Sequence, residues 1–243
     1  MKLYIFFIIY FLFIDIVNSA ELGLGLGGNV KSKEYIGISD ENNLFPIIYY
    51  SNELITISGP LLDVHLYETK LLSTSFRTRL GFSDGYEAIE SPDLTGMRNK
   101  KNSVWFGPNL AYKTKYGTFD AEILFDLSNN SDGIQSSLYY RKKIKISSNV
   151  IMEPSIFVTW LSDDYVDYYY GVTSDEATLY RASYKGGKTV NTGVELNVGY
   201  NFNQSQQLVL IANYTNLGNS ITDSPIVEGS STASITVLYL YLF

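Results

Sequence analysis

The last eleven residues, Ala233-Ser-Ile-Thr-Val-Leu-Tyr-Leu-Tyr-Leu-Phe243, leave this chain few folds to choose from. Successive side chains of a strand point to opposite faces, so Ile235, Val237, Tyr239, Tyr241 and Phe243 share one face. An apolar face ending on an aromatic residue is what the closing strand of a membrane barrel presents to lipid. A buried terminal strand of a soluble β protein carries the same pattern. The rest of the chain must decide between them.

At the other end, Lys2, the hydrophobic run Leu3–Ile14 and the small or polar Asn18, Ser19 and Ala20 read as a cleavable export signal covering residues 1–20. Cleavage after Ser19 and cleavage after Ala20 both fit. The alternative is a membrane anchor, but the run is short and Asp15 interrupts it. Residues 21–243 contain no further apolar stretch near the ~20 residues a spanning helix needs. If the mature chain resides in a membrane, it therefore crosses as strands. Hydrocarbon offers backbone groups no partner, so the strands must close into a barrel.

A mean hydropathy of −0.01 suits this reading, because alternating lipid-facing and lumen-facing residues dilute the apolar signal. The 21 tyrosines and 13 phenylalanines supply material for aromatic girdles at both bilayer interfaces. Cysteine is absent, which removes disulfides, thiol catalysis and cysteine metal sites. A net charge of −7 argues against a nucleic-acid partner.

Period two recurs along the chain. Phe119, Ala121, Ile123, Phe125 and Leu127 alternate with a face carrying Asp120, Glu122 and Asp126. Three carboxylates do not suit the inner face of a soluble sandwich, but they belong in a polar barrel lumen. Val190–Phe202 alternates apolar residues with Asn191, Gly193, Glu195, Asn197, Gly199 and Asn201. Ser75–Phe82 sets Phe76, Leu80 and Phe82 against Arg77 and Arg79, and Ile134–Arg141 sets Leu138 and Tyr140 against Gln135 and Arg141. Arg77, Arg79, Asp120, Glu122, Asp126 and Arg141 are thus expected to form a charge network inside a plugged or narrow barrel.

The pattern predicts an all-β, transmembrane, antiparallel up-and-down β-barrel of twelve strands. They lie near 21–30, 44–50, 53–58, 60–67, 72–82, 103–115, 118–128, 133–146, 149–160, 190–202, 206–216 and 233–243. Merging a pair among strands two to four would give ten. An even count places both termini on one side, expected to be the periplasm. The long connections 31–43, 83–102, 161–189 and 217–232 then all fall on the outer side, opposite short turns such as Tyr116-Gly117 and Ser147-Ser148. No linker suggests a second domain.

Candidate chemistry is sparse. Asp63 and His65 share a strand face, so the acid could orient the imidazole, yet no motif places a serine beside them. Asp120, Glu122 and Asp126 could bind a cation, but the nearby arginines make them lumen counter-charges. Glu21-Leu-Gly-Leu-Gly-Leu-Gly-Gly28 lacks the lysine and hydroxyl of a phosphate loop. It reads as a first strand whose inner face has no side chains, leaving room in the interior. No cofactor is implied.

Several separated elements resemble the MipA/OmpV family of outer-membrane proteins: Phe45-Pro46, Leu94-Thr-Gly-Met97, Phe106-Gly-Pro108, the acidic and tyrosine-rich run from Asp163 to Ala177, and Asn213–Val227 with its Asp-Ser-Pro-Ile-Val. The resemblance implies a non-enzymatic scaffold joining the outer membrane to a lytic transglycosylase and a peptidoglycan synthase. A small-solute channel and a surface-loop adhesin are the alternatives. It further implies contact with outer-membrane lipid and lipopolysaccharide, and with the barrel-assembly machinery, for which Tyr239, Tyr241 and Phe243 resemble the recognition signal. The tyrosine-rich run either folds inward to close the lumen or offers a partner surface built from Asp164, Asp167, Tyr168, Tyr169, Tyr170 and Gly171.

Overall fold

The computed structural model describes residues 20–82 and 84–243; the expected export signal, apart from Ala20, lies outside them. Twelve antiparallel strands form one closed sheet: β1 (Glu21–Lys31), β2 (Glu41–Ser51), β3 (Ile55–Ser58), β4 (Leu61–Glu68), β5 (Leu72–Leu80), β6 (Val104–Lys113), β7 (Thr118–Asp126), β8 (Ile134–Arg141, continued at Ile144–Lys145), β9 (Val150–Leu161), β10 (Thr189–Asn201), β11 (Gln206–Asn216) and β12 (Ser231–Leu242). Each strand pairs with its sequence neighbour, and β12 returns to β1 with Gly23 opposite Leu242 and Lys31 opposite Ser234. The expected count of twelve stands, and the ten-strand alternative falls because β3 and β4 are separate strands.

The alternation read from the sequence is the inside–outside alternation of the wall. Phe106, Leu110, Phe119, Ile123, Phe125, Val194, Tyr200, Val237, Tyr239 and Tyr241 are exposed on the outer surface. Trp105, Asp120, Glu122, Leu124 and Gln135, one position along, are buried. Outward rings pair across and along strands, as in Phe119–Tyr140 and Tyr241–Phe243, both with centroids 5.1 Å apart. Such pairs add about 0.5–1.5 kcal/mol beyond the area they bury.

One part of the wall is thin. β3 has four residues and pairs with β2 only from Tyr49 to Ser51, so Glu41–Ile47 of β2 are paired only with β1. The Ile48 carbonyl accepts the Gly59 N–H on the β3 side. By strand alternation Pro46 faces that same side and has no N–H to leave unpaired. Proline is at home on such an unpartnered edge.

Glu21 and Phe243, with the short connections 52–54, 69–71, 114–117, 142–149 and 202–205, lie at one end of the barrel. The four long connections, 32–40, 81–103, 162–188 and 217–230, lie at the other. There they pack a hydrophobic core built around Tyr35, Tyr86, Leu94, Tyr165, Val166, Tyr169, Tyr170, Ile221 and Ile226, with the strand residues Trp105 and Leu124 beneath.

Candidate functional site

The inner wall from β4 to β8 carries a layer of paired charges. Arg77 on β5 lies opposite Asp63 on β4 in the hairpin register. Its Nε and Nη2 donate to Asp63 Oδ1 and Oδ2, both at 2.8 Å, a bidentate fork matched to a carboxylate. Its Nη1 donates to Glu122 Oε2 at 2.9 Å. Arg79 approaches the other Glu122 oxygen at 3.1 Å and donates to Gln135 Oε1 at 2.6 Å. Arg141 stands 3.7 Å from Asp120 and lies over the Tyr139 ring. The Glu122 side chain is only 2 % exposed, so its charge depends on these two guanidinium groups. Buried charges persist only when paired.

Asp126 stands apart from this layer. Its carboxylate accepts hydrogen bonds from the hydroxyls of Ser103, Ser128 and Ser131 and from the N–H groups of Ser128, Asn130 and Ser131. It fastens the 127–133 turn to the wall. The proposed Asp63–His65 partnership is also absent: Asp63 is engaged by Arg77, while His65 Nε2 lies 2.9 Å from Thr56 Oγ1.

Above the charge layer, the tyrosine-rich run is a helix, α1 (Asp163–Tyr170). Ser162 caps it, its Oγ accepting the Tyr165 N–H, the standard way to satisfy a free first-turn donor. Helical spacing turns Tyr165, Val166, Tyr169 and Tyr170 inward together. Tyr170 donates to Glu34 Oε1 at 2.7 Å, and Tyr169 Oη lies 2.9 Å from Ser103 Oγ. Tyr35 stacks on Tyr170 at 5.4 Å and donates to the Tyr169 carbonyl at 3.4 Å. Burial, reinforced by Glu34, pushes the Tyr35 and Tyr170 phenols well above their ordinary range; burial and then Asp84 do the same to Tyr165. All three are held neutral in the buried core of the lid.

The expected partner surface therefore needs correcting. Tyr169, Tyr170 and Gly171 are buried and cannot meet a partner, because helix formation rotates them into the lid core. Asp164 is exposed. Asp167 accepts the Gly186 N–H at 2.9 Å, and Tyr168 accepts the Lys101 N–H at 2.9 Å beneath the Lys100 ammonium. Both are tied into the lid.

Residues missed by the sequence reading complete the lid. Arg181, 6 % exposed, donates to the carbonyls of Asp93, Thr95 and Glu176, joining two long connections. Glu176 is opposed by its burial, but accepted N–H bonds from Arg98 and Thr173 hold it below the usual carboxylate range. Neither residue carries a periodic signal. On the closing strand, Tyr239, Tyr241 and Phe243 all lie on the outer face.

An even-stranded closed barrel with an aromatic apolar exterior and a lumen of paired charges is an integral outer-membrane β-barrel. The family model described as "MltA-interacting protein MipA" matches residues 24–243. The chain belongs to that family. It is 27% identical to the MltA-interacting protein of Escherichia coli K12 over 229 residues, 92% of this chain and 90% of that protein. It is 27% identical to outer membrane protein Omp26La of Vibrio anguillarum over 158 residues, 65% of this chain and 61% of that one. Outer membrane protein OmpV of Vibrio cholerae is 26% identical over 163 residues, 67% of this chain and 63% of that one. Among solved structures, an outer membrane channel from Pseudomonas putida F1 aligns with a TM-score of 0.44 at 12% identity, covering 92% of this chain and 95% of that one.

Proposed function

We propose that this protein is a closed, non-conducting, non-enzymatic outer-membrane barrel that holds a cell-wall enzyme at the membrane, with its termini and short turns facing the periplasm. The observation that carries this reading is the tyrosine lid packed over one end of the barrel, with the Arg77–Glu122 charge layer on the wall beneath it. A barrel capped in this way has little use as a pore and suits a role in which its surface makes the contacts. The relative named as MltA-interacting supports the same reading; the partner implied is a lytic transglycosylase, with a peptidoglycan synthase joining it. Among the described residues, the longest connection at the termini end is 142–149, where Lys142, Lys143 and Lys145 are exposed. We assign the docking contact to it. Tyr239, Tyr241 and Phe243 serve assembly, as the outward signal read by the barrel-assembly machinery.

The test is a paired measurement. Wild-type protein in planar bilayers passes no steady current, and immobilised protein retains a lytic transglycosylase that the triple charge reversal Lys142→Glu, Lys143→Glu, Lys145→Glu releases. Steady conductance with no retained enzyme overturns the proposal in favour of a small-solute channel. A second reading, loop-mediated adhesion, draws on Ile89, Leu179 and Tyr180, which stand 89–94% exposed at the long-loop end. Loss of cell adherence on replacing Leu179 and Tyr180 with serine would select it.

A further inference from the structure

At the termini end the two sides of the lumen wall differ. Between β4 and β8 the inner wall carries Asp63, Arg77, Arg79, Asp120, Glu122 and Arg141, whereas the chamber-lining inward positions of β11, β12 and β2 near the termini end include Val209, Ile211, Leu238, Leu240, Leu242, Ile47 and Tyr49. Between them, the inner face of β1 presents Gly23, Gly25 and Gly27, flanked by Glu21 and Asn29. A side chain on Gly23 would meet Leu240 and Leu242, and one on Gly27 would meet Phe45 and Leu238. The missing side chains let these neighbours lie flat against the β1 backbone. A chamber of about 540 Å³ results, lined by the apolar residues and bounded at the termini end by Asn201, Asn203, Gln204, Gln206, Gln207 and Glu21.

A water-filled barrel has no use for this wall, since each Å² of apolar surface left in water forgoes about 25 cal/mol. Lumen residues are ordinarily polar, as they are on the opposite side. Ligand sites combine an apolar body with a few placed polar groups in roughly 300–1,000 Å³, and the chamber has both. Its rim offers neutral amides and the Glu21 carboxylate, and among the described residues no lysine, arginine or histidine lines it. Such a rim hydrogen-bonds hydroxyl and ester groups and gives an anionic head no basic side chain to pair with.

We infer that the chamber binds a neutral single-chain amphiphile of the monoacylglycerol type, its chain against Ile211, Leu238 and Leu240 and its hydroxyl head among the rim amides. The 540 Å³ falls within the roughly 300–1,000 Å³ of small-molecule sites, a size for one short chain and its head. Entry is from the termini end, so the closed lid does not obstruct it, and the site exists whether or not a cell-wall enzyme docks.

The test is photo-crosslinking of the full-length mature chain in phosphatidylcholine nanodiscs, using a monoacylglycerol with a diazirine at its chain end and, in parallel, the matching fatty acid. Inward and outward residues alternate, so mapping the labelled positions separates lumen from bilayer. The expected result is label on Val209, Ile211, Leu238 and Leu240, competed by unlabelled monoacylglycerol and at least tenfold weaker for the fatty acid. Ile211→Asn places an amide on a lumen face, where polar groups are tolerated, and should cut inward labelling several-fold while leaving outward labelling at Leu210 and Val237 unchanged. Label confined to outward residues overturns the inference. So does inward label that Ile211→Asn does not weaken, and equal labelling by the fatty acid overturns the assigned head group.

Discussion

Replacing Arg77 with glutamine tests the charge layer directly. Arg77 is the only ion-pair partner of Asp63 among the described residues and one of two for Glu122, with side-chain exposures of 14, 17 and 2 % for the three groups. The substitution leaves Asp63 unpaired and halves the compensation of Glu122. Breaking a buried pair by removing one partner costs about 3–5 kcal/mol, and since water reaches Asp63 we expect the lower end, about 3 kcal/mol. That is roughly a hundredfold in the folding equilibrium at about 1.4 kcal/mol per tenfold. Urea unfolding of the barrel refolded in lipid vesicles, followed by tryptophan fluorescence and by the gel shift between folded and heated forms, gives the value by linear extrapolation. Asp63→Asn in the Arg77→Gln background removes the stranded charge and should restore more than about 1 kcal/mol, which the double-mutant cycle reads as coupling. The reasoning fails if Arg77→Gln unfolds within about 0.5 kcal/mol of wild type, the range of an ordinary surface substitution, or if Asp63→Asn restores nothing.

Gly25→Ala places a Cβ on the Tyr239 carbonyl oxygen at the β1–β12 seam and should prevent closure, read as loss of the heat-modifiable band; Gly59→Ala, whose added carbon meets nothing, should retain the band despite the positive φ of 57° at that turn. Tyr170→Phe strands Glu34, whose second oxygen already lacks a partner, and should cost about 1–3 kcal/mol of lid stability, visible as faster proteolysis of the 162–188 connection. The phenols of Tyr35, Tyr165 and Tyr170 titrate higher in the folded protein than the ordinary 10.0. Their contribution to stability is whole below pH 10 and is lost as pH rises above it, because the unfolded chain then binds fewer protons. Between the unfolded and folded values each such tyrosine lowers stability by about 1.4 kcal/mol per pH unit. Phenolate absorbance should show these rings ionising only as near-ultraviolet circular dichroism collapses; early ionisation with the lid signal intact would refute their burial in the lid core.

The sequence by itself determined the strands, because inside–outside alternation is a property of the extended backbone and is written locally at period two. It placed twelve strands and the four long connections, and marked Phe243 and its tyrosines as outward. The inward leucines of β12, Leu238, Leu240 and Leu242, went unread, because a strand apolar on both faces carries no inside–outside alternation there. Tertiary structure decided which charges meet. Arg77 and Asp63 are cross-strand neighbours only once the 69–71 turn fixes their register, while Asp126, at the top of β7, comes within reach of loop hydroxyls and leaves the network. The lid was beyond local pattern altogether. Tyr35 meets Tyr169 across 134 residues of chain, and helix α1 turns inward only because three other connections cover it. Barrel closure brings these segments together, and no residue within any one of them carries the address of its partner.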